Sequence, residues 1–251
     1  MRIVVMNCNT SAAMTESIGA AAAAAAGPGT EIIALQPEWG VSSAEGYYDS
    51  FLSAAAVLDR ITTLDLEFDA LVMAGFGEHG REGARELLDV PVVDITEAAA
   101  MTAMLISPRF GVVTTLRRSV PQIHDSLLTA GLLSRCAAID ATELGVLELD
   151  SDGDRTLAAV RIAAERVIAE GAEAVVLGCA GMADVAEQLR GILGIPVIDG
   201  VAAAVKIAEG LVDLRLRTAK SASYAPPMPK ARPGWPVSTH IHTRPAKGAT
   251  L

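Results

Sequence analysis

Short, wholly apolar runs that stop at turn residues alternate along the chain with longer Ala-rich stretches in which polar positions recur at helical spacing. The apolar runs predict strands over residues 3–6, 31–34, 70–74, 92–94, 111–114, 137–139, 174–177 and 197–198. The stretches between them predict helices over 47–64, 80–88, 120–130, 154–170 and 183–193. Strands without an alternating polar face are buried on both sides. With helices between them, they imply parallel sheets covered on both faces, an α/β fold.

The pattern also repeats. "ALVMAGFG" from Ala70 aligns without a gap on "AVVLGCAG" from Ala174, putting Gly75 opposite Cys179 and Gly77 opposite Gly181. "VPVVDITEAA" from Val90 matches "IPVIDGVAAA" from Ile195, and "IVVMN" from Ile3 matches "GVVTT" from Gly111, in the same order. The expectation is two pseudo-symmetric parallel-sheet halves over 1–105 and 106–210, with a final helix near 200–217 packing back on the first. Ligands collect beyond the carboxyl ends of the strands in such sheets. The loops after Asn7, Gly75, Thr114 and Cys179 should therefore converge on a cleft between the halves, with positions 75 and 179 on opposite walls.

Composition narrows the class. The 251 residues are 51% hydrophobic but 4% aromatic, so the core is built from Ala, Val, Leu and Ile. No run is long and apolar enough to span a bilayer, and "MRIVVMN" enters a strand without a signal-peptide pattern, so no membrane role and a cytoplasmic location are expected. The net charge of −10 divides into +5 from Lys220, Lys230, Arg232, Arg244 and Lys247 in the Pro-rich stretch 218–251, and −15 in the body. An acidic body argues against nucleic acid as a partner. The basic end is expected to be a weakly ordered tail. Its His240-x-His242 pair is weak evidence for a metal, and no metal site is expected. A homo-oligomer is expected, by analogy with homologous folds alone.

Three cysteines are too few for a disulfide framework. Cys179 stands at a strand end between Gly178 and Gly181, where a thiol can meet backbone N–H groups at a helix start and become a proton carrier. Cys8 also ends a strand; inward packing and a proton-transfer role both fit it. Cys136, in "SRCAAID", reads as structural. His79 is either a proton carrier for the Gly75 face or a residue in the first turn of a helix. Asn9, Thr10, Thr114 and Thr115 are polar residues at strand ends, fit for binding or for turn and cap roles. "GFGEHG" has the form G-x-G-x-x-G, with Asp94 near the ribose-binding distance, a weak nucleotide signal.

Several segments together resemble the hydantoin and allantoin racemases of the aspartate/glutamate/hydantoin racemase superfamily: "MNCNTS" (from Met6), "QPEWGVSSAEGYYD" (from Gln36), "VVTTLRRSVPQIHDSL" (from Val112), "EAVVLGCAGMADVAEQL" (from Glu173) and "TAKSASY" (from Thr218). The resemblance covers residues 1 to about 225. It implies a small-molecule substrate, no cofactor, and two cysteines on opposite faces of an acidic carbon, one thiolate removing its proton and the other thiol returning one from behind. It further implies that Asn9, Thr10, Thr114 and Thr115, with the loops at Gly75, Phe76, Gly77, Ala180 and Gly181, hold the substrate. The chain departs from the family at two places. Gly75 stands where the family has its first cysteine, and Cys8 where the family has Pro.

The expected activity is therefore a cofactor-independent racemase acting on a carbonyl-activated carbon acid, a 5-substituted hydantoin, allantoin or an amino-acid-like molecule. Cys179 would be one proton carrier, and His79, Cys8 or water would serve the other face. The alternatives are one-sided, single-cysteine chemistry, as the arylmalonate decarboxylases of the superfamily run through an enediolate, and a ligand-binding homologue without catalysis.

Overall fold

Eight apolar runs form eight strands in the computed structural model, which describes residues 1–149 and 152–233. The elements run β1 (Arg2–Asn7), α1 (Ala12–Ala25), β2 (Glu31–Leu35), α2 (Tyr47–Thr63), β3 (Ala70–Ala74), α3 (Arg81–Leu87), β4 (Val92–Asp94) and α4 (Ile95–Ile106) in the first half. The second half repeats them as β5 (Phe110–Thr114), α5 (Val120–Thr129), β6 (Cys136–Ala141), α6 (Gly153–Ala169), β7 (Ala174–Leu177), α7 (Ala186–Leu193), β8 (Val197–Asp199) and α8 (Gly200–Asp213). The strands make two four-stranded, wholly parallel sheets, in the orders β2-β1-β3-β4 and β6-β5-β7-β8. The fold is α/β, and the repeat seen in the residues is a repeat of topology.

Register refines the repeat. Ile3 pairs with Ala70 and Phe110 with Ala174. Because Ala70 corresponds to Ala174, Ile3 corresponds to Phe110, one position off the match of "IVVMN" on "GVVTT". Asn7 is thus equivalent to Thr114, and Cys8 to Thr115. The slip had a physical cause: in a strand buried on both faces every side chain is apolar, so no alternation marks the register.

The central strands are fully buried, β3 and β5 along their whole length. The last helix of each half crosses to the other. α8 lays Val201, Ala204, Val205 and Ala208 against Ile3, Val5, Ala70 and Val72 of the first sheet. α4 lays Ala99, Ala100 and Ala103 against Phe110, Val112, Ala174 and Val176 of the second. Asp94 and Asp199 start these helices equivalently, each carboxylate accepting from the first free N–H groups. Small residues let both helices lie close on their sheets, and their mutual packing locks the two halves at one spacing.

Residues 218–224, expected within the loose tail, are docked on the first half. Thr218 bonds Asp89 O and Val90 O, and the Lys220 ammonium donates to the carbonyls of Arg85, Glu86 and Leu88 at the end of α3. The Tyr224 hydroxyl donates to Glu82, under the Arg85 guanidinium. His240 and His242 lie outside the described residues. Cys136 is half-buried beside the Phe110 core, its thiol donating to Ala138 O. Among the described residues, no helix is long and apolar enough to cross a membrane.

Candidate active site

The strand ends meet in one cleft lined by Asn7, Cys8 and Asn9 after β1, Ala74, Gly75 and Phe76 after β3, Thr114 and Thr115 after β5, and Gly178, Cys179 and Ala180 after β7, with Met14, Ala44, His79, Ser119, Gln122 and Val146 around them. Each wall is a pair of neighbouring parallel strands. On one, Asn7 pairs with Ala74, so Cys8 and Gly75 leave the sheet side by side. On the other, Val113 pairs with Leu177, so Thr115 and Cys179 occupy the equivalent places.

Backbone approach explains the glycine before the thiol. Gly178 N–H donates to Val113 O at 2.7 Å, and a Cβ at 178 would stand 2.9 Å from that oxygen. The turn holding Cys179 therefore admits only glycine there. Cys179 itself precedes a 3₁₀ stretch (Ala180–Val185), and the α-helix begins only at Ala186. The helix expected from residue 183 thus starts three residues later, and a tighter turn stands directly behind the thiol.

On the opposite wall, the space beside Gly75 is filled. A Cβ at 75 would stand 2.5 Å from His79 Cδ2, 2.6 Å from Cys8 Cβ and 2.9 Å from Cys8 Sγ. The Cys8 thiol is pushed up to about 12, by burial first and then by the negative charge of Cys179. It is therefore a neutral S–H at ordinary pH, facing a second cysteine close enough to feel its charge.

His79 is buried, and burial pushes its pKa below the usual imidazole value, so the ring is neutral. Its Nε2 lies 3.3 Å from Phe76 O, which can only accept, so Nε2 carries the proton. Nδ1 lies 3.2 Å from Ser50 Oγ, whose own hydroxyl donates to Glu78 O at 2.7 Å. The Gln122 amide donates to Ser50 Oγ (2.5 Å) and to Glu78 O (3.2 Å), completing the chain. Both ring nitrogens are engaged within the protein, and the ring turns a carbon edge toward position 75. Glu78 caps the next helix, its Oε1 accepting from Gly80 N and Arg81 N.

The polar lining is largely pre-tied. Asn7 Nδ2 bonds Asn9 Oδ1 and Thr15 Oγ1, and Asn9 Oδ1 also accepts from Ser11 N. Asn9 Nδ2 contacts only the weak acceptor Met14 Sδ, at 3.2 Å, among the described bonds, so a strong amide donor is kept in reserve. Thr114 Oγ1 reaches Gly178 O at 3.4 Å, across the two strands of its wall.

Three of the anticipated residues lie outside this lining. Thr10 turns away, bonding Val41 O through both N–H and hydroxyl. Gly77 spends its N–H on Thr96 and its carbonyl on Thr96 and Ser126. Gly181 borders Leu149 and the Cys179 thiol, where a Cβ would stand 3.4 and 3.7 Å from them, without lining the cleft. Asp94, at the spacing of a ribose-binding acid, is buried, caps α4 and faces Arg81. Sequence reasoning passed over Asn7, Ser119 and Gln122. Asn7 carried a signal, being the polar end of an apolar strand like Thr114. Gln122 and Ser119 carried none beyond lying in the segment from Val112.

The cleft lies between two parallel-sheet halves and carries a cysteine on each wall. The Asp/Glu/hydantoin racemase family matches residues 3–208. The hydantoin racemase of Pseudomonas sp. (strain NS671) is 42% identical, over 92% of this chain and 93% of its own. Among solved structures, the allantoin racemase of Pseudomonas fluorescens is 53% identical with a TM-score of 0.92, covering 93% of this chain and all of the other. That of Klebsiella pneumoniae is 45% identical with a TM-score of 0.89, covering 93% and 96%. The chain belongs to the Asp/Glu/hydantoin racemase family, on its hydantoin and allantoin racemase branch, and is an isomerase.

Proposed function

We propose that the chain is a cofactor-independent racemase of 5-substituted hydantoins, allantoin included, with Cys179 as a proton carrier. The observation that carries this reading is Cys179 at the mouth of β7, facing a cleft lined by Asn9, Thr114 and Thr115. The C5 proton of a hydantoin lies next to the C4 carbonyl. The Cys179 thiolate takes that proton, the C–H electron pair moves onto the carbonyl oxygen, and an S–H bond forms. The Asn9 amide in reserve and the Thr115 hydroxyl would supply donors to the enolate oxygen, and such preplaced donors are worth about 3–4 kcal/mol each. Inversion requires that the returning proton come from the opposite wall.

The test is Cα–H exchange in D₂O, followed by NMR, with each enantiomer of allantoin and of 5-methylhydantoin. The wild type exchanges both enantiomers and inverts them. Cys179→Ala is expected to slow racemisation by about 10²-fold or more. Undiminished racemisation by Cys179→Ala would sink the reading. Exchange without inversion in the wild type would replace it with one-sided chemistry, and absence of exchange with a non-catalytic binding role.

A further inference from the structure

We propose that the second proton carrier of this site is Cys8, a thiol moved from the end of β3 to the end of its neighbour β1. The proposal rests on the racemase reading above and names the residue that reading leaves open.

Three observations place it. The register that pairs Asn7 with Ala74 puts Cys8 and Gly75 abreast as the two strands end. Neighbouring parallel strands run about 4.8 Å apart, so a side chain from either position reaches the same point in the cleft. The Cys8 side chain takes up the room at Gly75: its Cβ and Sγ lie 2.6 and 2.9 Å from where a Cβ at 75 would stand. The absence of a side chain at 75 is therefore a condition for Cys8 to occupy the wall, and a thiol at both positions would collide. By the equivalence of the halves, Cys8 corresponds to Thr115 and Gly75 to Cys179, so each wall carries one cysteine, on opposite members of the strand pair. His79 packs its carbon edge against the same point, with both nitrogens held by Phe76 and Ser50. It borders the same space as Cys8 and offers no free nitrogen to the cleft there.

The proton balance closes. Cys179 thiolate removes the C5 proton from one face and becomes a thiol. Cys8 S–H delivers its proton to the other face, the enolate electron pair forms the new C–H bond, and Cys8 is left as the thiolate. The opposite enantiomer runs the same steps backward, and exchange with water restores the resting state. Two adjacent cysteines cannot both ionise without mutual repulsion, which keeps one acid and one base in the pair.

The experiment uses the full chain and the exchange assay with both enantiomers of 5-methylhydantoin. Cys8→Ala and Cys8→Ser should lose racemisation by about 10²-fold or more while retaining deuterium incorporation, without inversion, into the one enantiomer whose proton faces Cys179. Cys179→Ala should retain incorporation into the other enantiomer only. Gly75→Cys alone should be crowded and gain nothing, whereas Cys8→Pro combined with Gly75→Cys should recover racemisation lost in Cys8→Pro. Racemisation within about threefold of wild type in folded Cys8→Ser overturns the proposal. So does an equal fall in exchange of both enantiomers, the mark of a merely structural role. A wild type inert toward hydantoins and allantoin instead sinks the racemase reading itself, and a Cys179→Ala result separates the two failures.

Discussion

Gly77 sits at φ +119°, and a Cβ there would stand 3.0 Å from the Gln122 amide nitrogen. Backbone and neighbour both resist a side chain, so Gly77→Ala should cost about 1–3 kcal/mol. It should also disturb the Gln122–Ser50–His79 chain beside the Cys8 wall. Thermal unfolding together with the exchange assay checks this; an unchanged Tm would refute the strain argument. At this scale the chain was partly legible. Cys179, between glycines at a strand end, could be singled out from its surroundings. What could not be read was that Cys8 fills the space beside Gly75, because the two are 67 positions apart and their meeting depends on strand register. His79 illustrates the converse. Its residue type suits proton transfer, but it is buried, with Nε2 at Phe76 O and Nδ1 at Ser50 Oγ.

The eight strands were legible directly from their apolar runs, since a short run without polar alternation has few alternatives between helices. The turn after Cys179 was not, because 3₁₀ and α starts share the same residues and differ only in packing. The exchange of α4 onto the second sheet was equally silent: an Ala-rich helix carries no mark of which sheet it covers. Nor does composition show that Lys220, in a basic Pro-rich stretch, holds three carbonyls at the end of α3. α3 comes directly after the Gly75–Gly80 loop, so this clamp steadies one wall of the cleft from behind. Removing a charged donor from three carbonyls costs about 1–3 kcal/mol. Lys220→Met should therefore lower Tm by about 2–4 °C for each kcal/mol lost, with Lys220→Arg intermediate. Differential scanning calorimetry reads the shift, and a Lys220→Met protein as stable as wild type would show the clamp to be idle.

Across the whole molecule, a charged network buried in the first half reaches the second through a hydrogen bond from Arg81 to Ser126. Arg81, 1% exposed, reaches Asp94 (3.5 Å), Glu97 (3.6 Å) and Glu82 (2.8 Å) from the first half, and Ser126 (3.3 Å) on α5 of the second. Burial raises Asp94 from 3.8 to about 7, against the pull of Arg81 and with Glu97 adding to the rise. Its Oδ1 caps α4, while Oδ2 is buried without a hydrogen-bond partner and is the oxygen that takes the proton. The native state therefore binds this proton more tightly than the unfolded chain. Between about pH 4 and 7 the unfolded state releases it first, so this group's contribution to stability falls as pH rises, and is constant above the folded value. Asp94→Asn keeps an oxygen to cap α4 and cannot titrate. At pH 4 the wild-type carboxyl is itself neutral, so the starting offset reflects only the exchange of an acid for an amide; from pH 4 to 7 the gap should move in the variant's favour and then level off. Tm measured at half-unit intervals gives the difference curve. A gap that stays constant across that range would mean Asp94 is ionised throughout, its desolvation fully offset by Arg81, and the pair would then be an ordinary buried ion pair.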